Sequence, residues 1–309
     1  MSVLLDFPHA VGTGIIISSS RAEMSQQQIQ ALHSQLAAFI HDFEQYFSRF
    51  QADSLLSQMT QHREFSALFP PYAAQLFDIY DALYRATDGR FTPTVAEDLV
   101  RLGYGEDFGV EATSRATWGV DVWRDPQQPY LLHTSRPVHL DFGAAGKGFL
   151  VDLLAQALIE HGWSDFTINA GGDIFTTEGL RVGLENPQNF EQAVGMITLQ
   201  PGQALCASSP SRRHWTPAQA AHEVHHIIDG LTGESTQDIA ATWTCVDAQH
   251  AGAYPTAWAD ALSTALFFCA PQALLQPDIP QWSFARLGYT QFAQQSANWQ
   301  GEFFTSNAA

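Results

Sequence analysis

Positive charge is what this chain of 309 residues lacks most: 14 Lys and Arg face 32 Asp and Glu, a formal net charge of −18, and lysine is scarce. A surface this acidic repels nucleic-acid backbones and anionic membranes, so neither is an expected partner. A small nucleotide remains an acceptable ligand wherever a few local cations or a metal reverse the field. Cysteine is nearly missing too. Cys206, Cys245 and Cys269 are odd in number and show no CxxC spacing, which argues against a disulfide framework and for a reducing compartment. Apolar runs such as Ala265–Ala270 fall well short of a spanning helix, so no membrane insertion is expected. The opening MSVLLDFPHA has no basic n-region and breaks its apolar run with Asp6 and Pro8. It does not read as a signal peptide, no cysteine stands near it to carry a lipid, and the expected location is the cytoplasm.

What is present is an ordinary globular composition, 45% hydrophobic and 15% charged, long enough for a large core. VGTGIIISSS is β-branched and bounded by small residues, which predicts a strand. From about Ser25 to Tyr46, Ile29, Leu32, Leu36, Phe39, Ile40 and Phe43 recur at helical spacing, and a second helix is predicted near 71–87, ending at Asp88-Gly89. His139–Phe142 reads as a strand entering a Gly-rich loop. Phe149, Leu150, Leu153, Leu154, Ala157 and Leu158 then form a helix face that stops at Gly162, and DFTINAGGDIF begins another strand. No internal repeat or long linker interrupts the chain. Strands and helices alternate without strict βαβ repetition, which favours an α+β fold.

Four stretches could carry chemistry. In DFGAAGKGFLVD, small residues from Gly143 to Gly148 expose the backbone before a helix start, and Lys147 adds a charge suited to a phosphate. Gly148 follows that lysine where a Walker A loop needs Ser or Thr, and a tight turn explains the loop equally well. In AWADALSTALF, Asp260 and Thr264 share one helix face with Ser263 beside them, a hard-oxygen set suited to Mg²⁺. The competing reading is that Asp260 caps its helix while Thr264 packs. His222 to His226 satisfies the zinc-protease pattern HExxH, but the second histidine leads into Ile227-Ile228-Asp229-Gly230, a short strand entering a turn rather than a helix. INAGGDIF, with Gly172 and Asp173, is a backbone-exposing turn at a strand end.

In this order the segments resemble the FAD:protein FMN transferase (ApbE-like) family. AVGTGIII is similar to its AMGT strand, YFSRFQADSLLSQM to its helix-to-loop region, and GRFTPTVAEDLVRLGYG to GxFDPTVGPLVxLWGFG. DFGAAGKGFLVD, INAGGDIF, RVGLENP, HHIIDGLTG and ADALSTALF complete the series. The resemblance implies one domain over 1–309, with T-fold-like mixed sheets and packed helices. It implies Mg²⁺-dependent transfer of FMN from FAD to a Thr or Ser of an acceptor protein bearing a DGxTGAT-like motif, with release of AMP. The implied FAD-binding positions are Val11, Phe50, Phe91, Thr92, Asp141, Lys147, Gly172, Asp173 and Ile228. Mg²⁺ would be held by the main-chain oxygen of Ala144 with Asp260, Ser263 and Thr264, and His226 would be the base.

Some positions depart from the pattern. Val11 stands where methionine is usual, Thr92 replaces the aspartate of FDPT, and Gly230-Leu231 replaces Pro-Arg in HIIDPRTG. Asp229–Ser235 consequently reads DGLTGES, similar to the acceptor motif itself with Ser235 at the accepting position. A pyrophosphatase splitting FAD to FMN and AMP, and a flavin-binding protein without turnover, are the rival functions. The sequence leaves the oligomeric state open.

Overall fold

Val3, Leu5 and Phe7 point inward while Leu4 and Asp6 point out, and this alternation makes β1 (Val3–Phe7), which returns as β2 (Ile15–Ser19). The computed structural model describes residues 2–20, 24–104, 115–217, 223–290 and 292–304. It sets these strands at one edge of an eight-stranded sheet completed by β3 (Thr167–Ala170), β4 (Asp173–Thr176), β5 (Gln203–Ser208), β6 (Ile239–Asp247), β7 (Trp282–Gly288) and β8 (Ala293–Gln295). Each strand pairs antiparallel with the next, so their order in space is their order in the chain. Helices are excursions from this sheet. α1 (Gln26–Phe47), α2 (Ala73–Ala86) and α3 (Gly146–Glu160) lie between β2 and β3 in the chain, and α4 (Pro255–Ala265) lies between β6 and β7. The α+β expectation holds, with antiparallel pairing throughout the main sheet.

Both faces of the sheet are covered. Along β5, Ala204 and Cys206 join the core beneath the helices, while Leu205 faces a second core with Leu184, Ile197, Trp243 and Trp299. That second core lies under a three-stranded sheet of Leu180–Asn186, Asn189–Leu199 and Glu302–Phe303. No helix among the described residues is long and apolar enough to cross a membrane.

Local chemistry explains the helix boundaries. Ser25 and Gln28 form a capping box at the start of α1, whose buried stripe is Leu32, Leu36, Ile40, Phe43 and Phe47. Ile29 and Phe39, expected in that stripe, are only partly buried. α3 is apolar nearly all round because it packs against α1, α4 and the strands. Its approach to α4 is very close: a side chain on Gly148 would meet the Thr256 carbonyl group and stand 2.8 Å from Asp260 Cβ. The two helices cap each other across this contact. Asp152 of α3 accepts the Thr256 and Ala257 N–H groups at 3.0 and 2.8 Å, and Asp260 of α4 accepts the Gly148 N–H at 3.0 Å.

One expected strand is not formed. His139–Phe142 joins no sheet, because its hydrogen bonds go to short helical turns rather than to a neighbouring strand: Asp141 N–H donates to Pro93 O at 2.8 Å, and the preceding Val138 N–H to Met59 O at 3.1 Å. The hydrophobic pattern was correct, since Leu140 and Phe142 are buried, but pattern alone does not supply a ladder partner.

The Gly148 contact generates a prediction. Gly148→Ala is expected to cost about 1–3 kcal/mol through overpacking, measured as a lower midpoint of denaturant unfolding.

Candidate active site

Lys147 is the only lysine in the sequence. The first turn of α3 carries it, β4 begins with Asp173, and the middle of α4 supplies Asp260; the three meet at the α3–α4 crossing. Lys147 Nζ is paired with Asp173 Oδ2 and lies 3.8 Å from Asp260 Oδ2. Burial disfavours the lysine's charge, yet the two carboxylates outweigh it and raise its pKa. Burial, then repulsion from Asp173, pushes Asp260 up to about 8 against the opposing pull of Lys147 and the Gly148 N–H. Asp173 is fully buried behind the lysine, and its Oδ1 finds no hydrogen-bond partner.

The Gly-rich loop is therefore not a set of vacant amide donors. Gly143 N–H is taken by Asp141 Oδ1 at 2.6 Å, Gly146 N–H by Phe142 O at 2.7 Å, and Gly148 N–H by Asp260. Asp260 does act as a cap, but for α3 rather than for its own helix. One turn along α4, Ser208 at the end of β5 bonds Ser263 Oγ at 2.6 Å and Thr264 Oγ1 at 3.1 Å. Ser263 Oγ also donates back to Asp260 O at 2.8 Å. Sequence reasoning missed Ser208, which belongs to no motif and reaches α4 only through the sheet.

A second group gathers around Asp141, whose Oδ2 accepts Arg49 Nε at 2.7 Å. The Arg49 guanidinium lies over the rings of Phe50 and Tyr104, 4.2 and 5.0 Å from their centroids. Tyr104 stacks on Trp215 at 4.9 Å and faces His226 at 6.5 Å. Phe50 is 56% exposed and open to a ligand. His226 is half-buried, with Nδ1 against Arg213 O at 3.4 Å. Burial, then the Arg213 charge, lowers its pKa to about 4. Arg49 lies in YFSRFQADSLLSQM without a pattern to single it out, Trp215 lies in no motif at all, and Tyr104 is visible only as part of LGYG.

The other predicted positions divide between the core and the surface turns. Phe91 is buried against Tyr80 at 5.0 Å. Gly172 turns the β3–β4 hairpin at φ 109°, its N–H on Asn169 Oδ1 at 3.0 Å. Ile228 is buried and bridges to Ser235. Ala144 is half-buried in the loop before α3. Of HExxH, His222 lies outside the described residues, and Val224–His225 is a short strand. His225 is engaged with backbone through both ring nitrogens, to Thr236 O at 2.6 Å and Ile227 N at 3.2 Å. Among the described residues, no three His, Cys, Asp or Glu side chains stand together to hold a metal.

The model of a family described as the ApbE family matches residues 11–277. This chain belongs to the ApbE family. It is 28% identical over 203 residues to the FAD:protein FMN transferase of Rhodobacter capsulatus, covering 61% of this chain and 38% of that protein. To the FAD:protein FMN transferase of Haemophilus influenzae it is 24% identical over 269 residues, covering 79% and 74%. The matches thus span from well under half to about three quarters of these relatives' lengths. In fold it resembles the ApbE protein of Thermotoga maritima, with TM-score 0.76 at 21% identity over 96% of this chain and 97% of the other. The flavin transferase ApbE of Vibrio cholerae gives 0.75 at 17% identity over the same shares.

Against the ApbE pattern, two departures touch in space. A side chain on Gly230 would lie 2.5 Å from Thr92 Cγ2 and 2.6 Å from Arg90 O. Thr92 itself caps a short 3₁₀ turn through Thr94 N–H. Leu231 is 54% exposed, but two guanidinium groups reach the turn from elsewhere: Arg90 pairs with Asp229, and Arg115 donates to Gly230 O.

The ion-pair geometry is testable. Lys147→Met leaves two buried carboxylates without their cation and is expected to cost about 3–5 kcal/mol of stability. Adding Asp173→Asn should restore most of it, which a denaturant double-mutant cycle would measure.

Proposed function

We propose that this protein transfers FMN from FAD to a Thr or Ser hydroxyl of an acceptor protein and releases AMP, with Mg²⁺ as the required metal. The observation that carries the reading is the meeting of the sole lysine with Asp173 and Asp260 beside the start of α3, with the Thr264 hydroxyl one turn further along α4. The donor set fits Mg²⁺. It consists of hard oxygens, and Asp260, whose proton is held by burial and by the neighbouring Asp173, would exchange that proton for a cation bound there. Asp260 and Thr264 would hold the metal, with the main-chain oxygen of Ala144 and with Ser263 alongside. When bound, Mg²⁺ supplies charge neutralisation of the diphosphate and of the departing AMP.

The chain's own groups divide the remaining work. Lys147 offers its ammonium to the diphosphate. Arg49 fixes Asp141, which takes the flavin nucleotide alongside the open ring of Phe50. The acceptor hydroxyl oxygen attacks the FMN phosphorus, the bond from that phosphorus to the AMP oxygen breaks, and the hydroxyl proton passes to His226. The contact of Nδ1 with Arg213 O makes Nδ1 the protonated nitrogen and leaves the Nε2 lone pair to accept it. With its pKa lowered to about 4, His226 is already neutral at neutral pH. At saturating Mg²⁺, which would hold Asp260 ionised, activity is therefore expected to persist as pH falls through 6.5, the ordinary histidine value, and to be lost only near 4; a pH profile of kcat/KM at saturating Mg²⁺ checks this. His226→Ala should lose transfer and keep FAD binding.

The acceptor proposed is a protein with a DGxTGAT-like motif, and the unpaired cysteines support a cytoplasmic setting. Ser235 is not favoured as a self-acceptor, because it is buried and its Oγ accepts His225 N–H and donates to His225 O. The deciding experiment incubates FAD and Mg²⁺ with and without an acceptor peptide and follows AMP and peptide fluorescence. AMP with a labelled peptide is the expected result, abolished by Asp260→Asn. AMP without label would make the protein a pyrophosphatase, and FAD binding without either product would overturn turnover altogether.

A further inference from the structure

Val11 has φ 44° and ψ 30°, the left-handed region that a β-branched residue enters only where its surroundings hold it. What holds it is Glu44 of α1: Val11 N–H donates to Glu44 Oε1 at 2.7 Å. The other carboxylate oxygen, Oε2, accepts Gln51 Nε2 at 3.3 Å. Gln51 is tied down in turn. Its Oε1 accepts Gln45 Nε2 at 2.6 Å, and its carbonyl accepts Ser57 Oγ at 2.6 Å. One carboxylate thus joins two segments that are distant in the chain, the Pro8–Gly14 turn and the Ser48–Ser54 loop, the latter held by Ser57 of the short helix that follows. Each presents one of the residues assigned above to FAD, Val11 on the turn and Phe50 on the loop.

Nothing local to α1 accounts for Glu44. It stands in the last turn of the helix, where an acid opposes the helix dipole, and that turn contains no basic residue to offset it. It is half-buried, and its two oxygens point to different loops.

We propose that Glu44 is a positioning residue for FAD: its carboxylate holds the Val11 turn and the Phe50 loop in one fixed relation and so sets the affinity for the flavin nucleotide. The proposal rests on the FAD reading of the site. Its test measures FAD binding by flavin fluorescence without metal, together with kcat and KM for FAD, in the wild type, Glu44→Ala, Glu44→Gln and Gln51→Leu. Glu44→Ala removes both hydrogen bonds to a charged acceptor and is expected to raise Kd and KM about tenfold or more, with kcat at saturating FAD within about twofold. Glu44→Gln can still accept the Val11 N–H and should recover most of that affinity. Wild-type affinity in Glu44→Ala, or a loss confined to kcat, would overturn the proposal. Should Glu44→Ala fail to fold, Gln51→Leu cuts only the Phe50 arm and is expected to weaken FAD binding by itself; unchanged affinity there would be equally fatal. A wild-type protein that binds no FAD would instead remove the functional reading on which this rests.

Discussion

The contact of Gly148 with Thr256 and Asp260 is the constraint from which the site follows. A side chain at 148 would separate α3 from α4, and the reciprocal caps would then be out of reach. α4 needs its cap from outside, because Tyr254 at its N-cap position offers no side-chain hydrogen bond and Pro255 opens its first turn. Asp152 supplies that cap from α3, held by two N–H groups, and burial still pushes it up to about 8. Asp260 returns the favour to α3 through Gly148 N–H. The same packing that buries the two carboxyl groups gives each the N–H groups of a helix N-terminus as hydrogen-bond partners, which offsets part of the cost of burying them.

This arrangement gives the lone lysine its meaning. In a chain with net charge −18, any anionic substrate meets an unfavourable field over most of the surface. The cations that oppose it are placed individually: Lys147 between Asp173 and Asp260, Arg49 on Asp141, Arg90 on Asp229. Each is held by a carboxylate, so its position is fixed by the fold rather than by a general excess of basic residues. An ammonium also suits the position between two buried carboxyl groups better than a guanidinium would, since it is a compact point charge that needs no planar fork of partners.

What was legible in the sequence was what periodicity and short motifs encode. The apolar stripes of α1, α3 and α4 gave those helices, and the glycine pair at Gly171 and Gly172 gave the β3–β4 turn through backbone angles that other residues avoid. The motif series also singled out Lys147 and Asp260, which the fold brings to 3.8 Å of each other, and Thr264, one turn along α4 from Asp260. Partners brought together only by the tertiary fold were hidden. Ser208 meets Thr264 across 56 residues and Arg49 meets Asp141 across 92, and no local pattern announces either. His139–Phe142 shows the converse failure, a correct burial pattern without a strand to pair with. Asp260 was recognised as a capping acid, yet only the fold shows which helix it caps.

The departures at Thr92 and Gly230 are better understood as one change than as two. The backbone carbonyls of Gly89 and Arg90 crowd position 230 together with the Thr92 methyl group, and Gly230 N–H donates to Arg90 O at 2.9 Å. Proline at 230 would lose that donor and bring ring atoms into the space Thr92 Cγ2 occupies. A glycine there permits the tighter approach, and the tighter approach brings the Arg90 and Arg115 guanidiniums onto the turn. Positive charge that the family pattern carries at position 231 is thereby delivered by neighbouring segments, so Leu231 need not signal a site that has lost its cations.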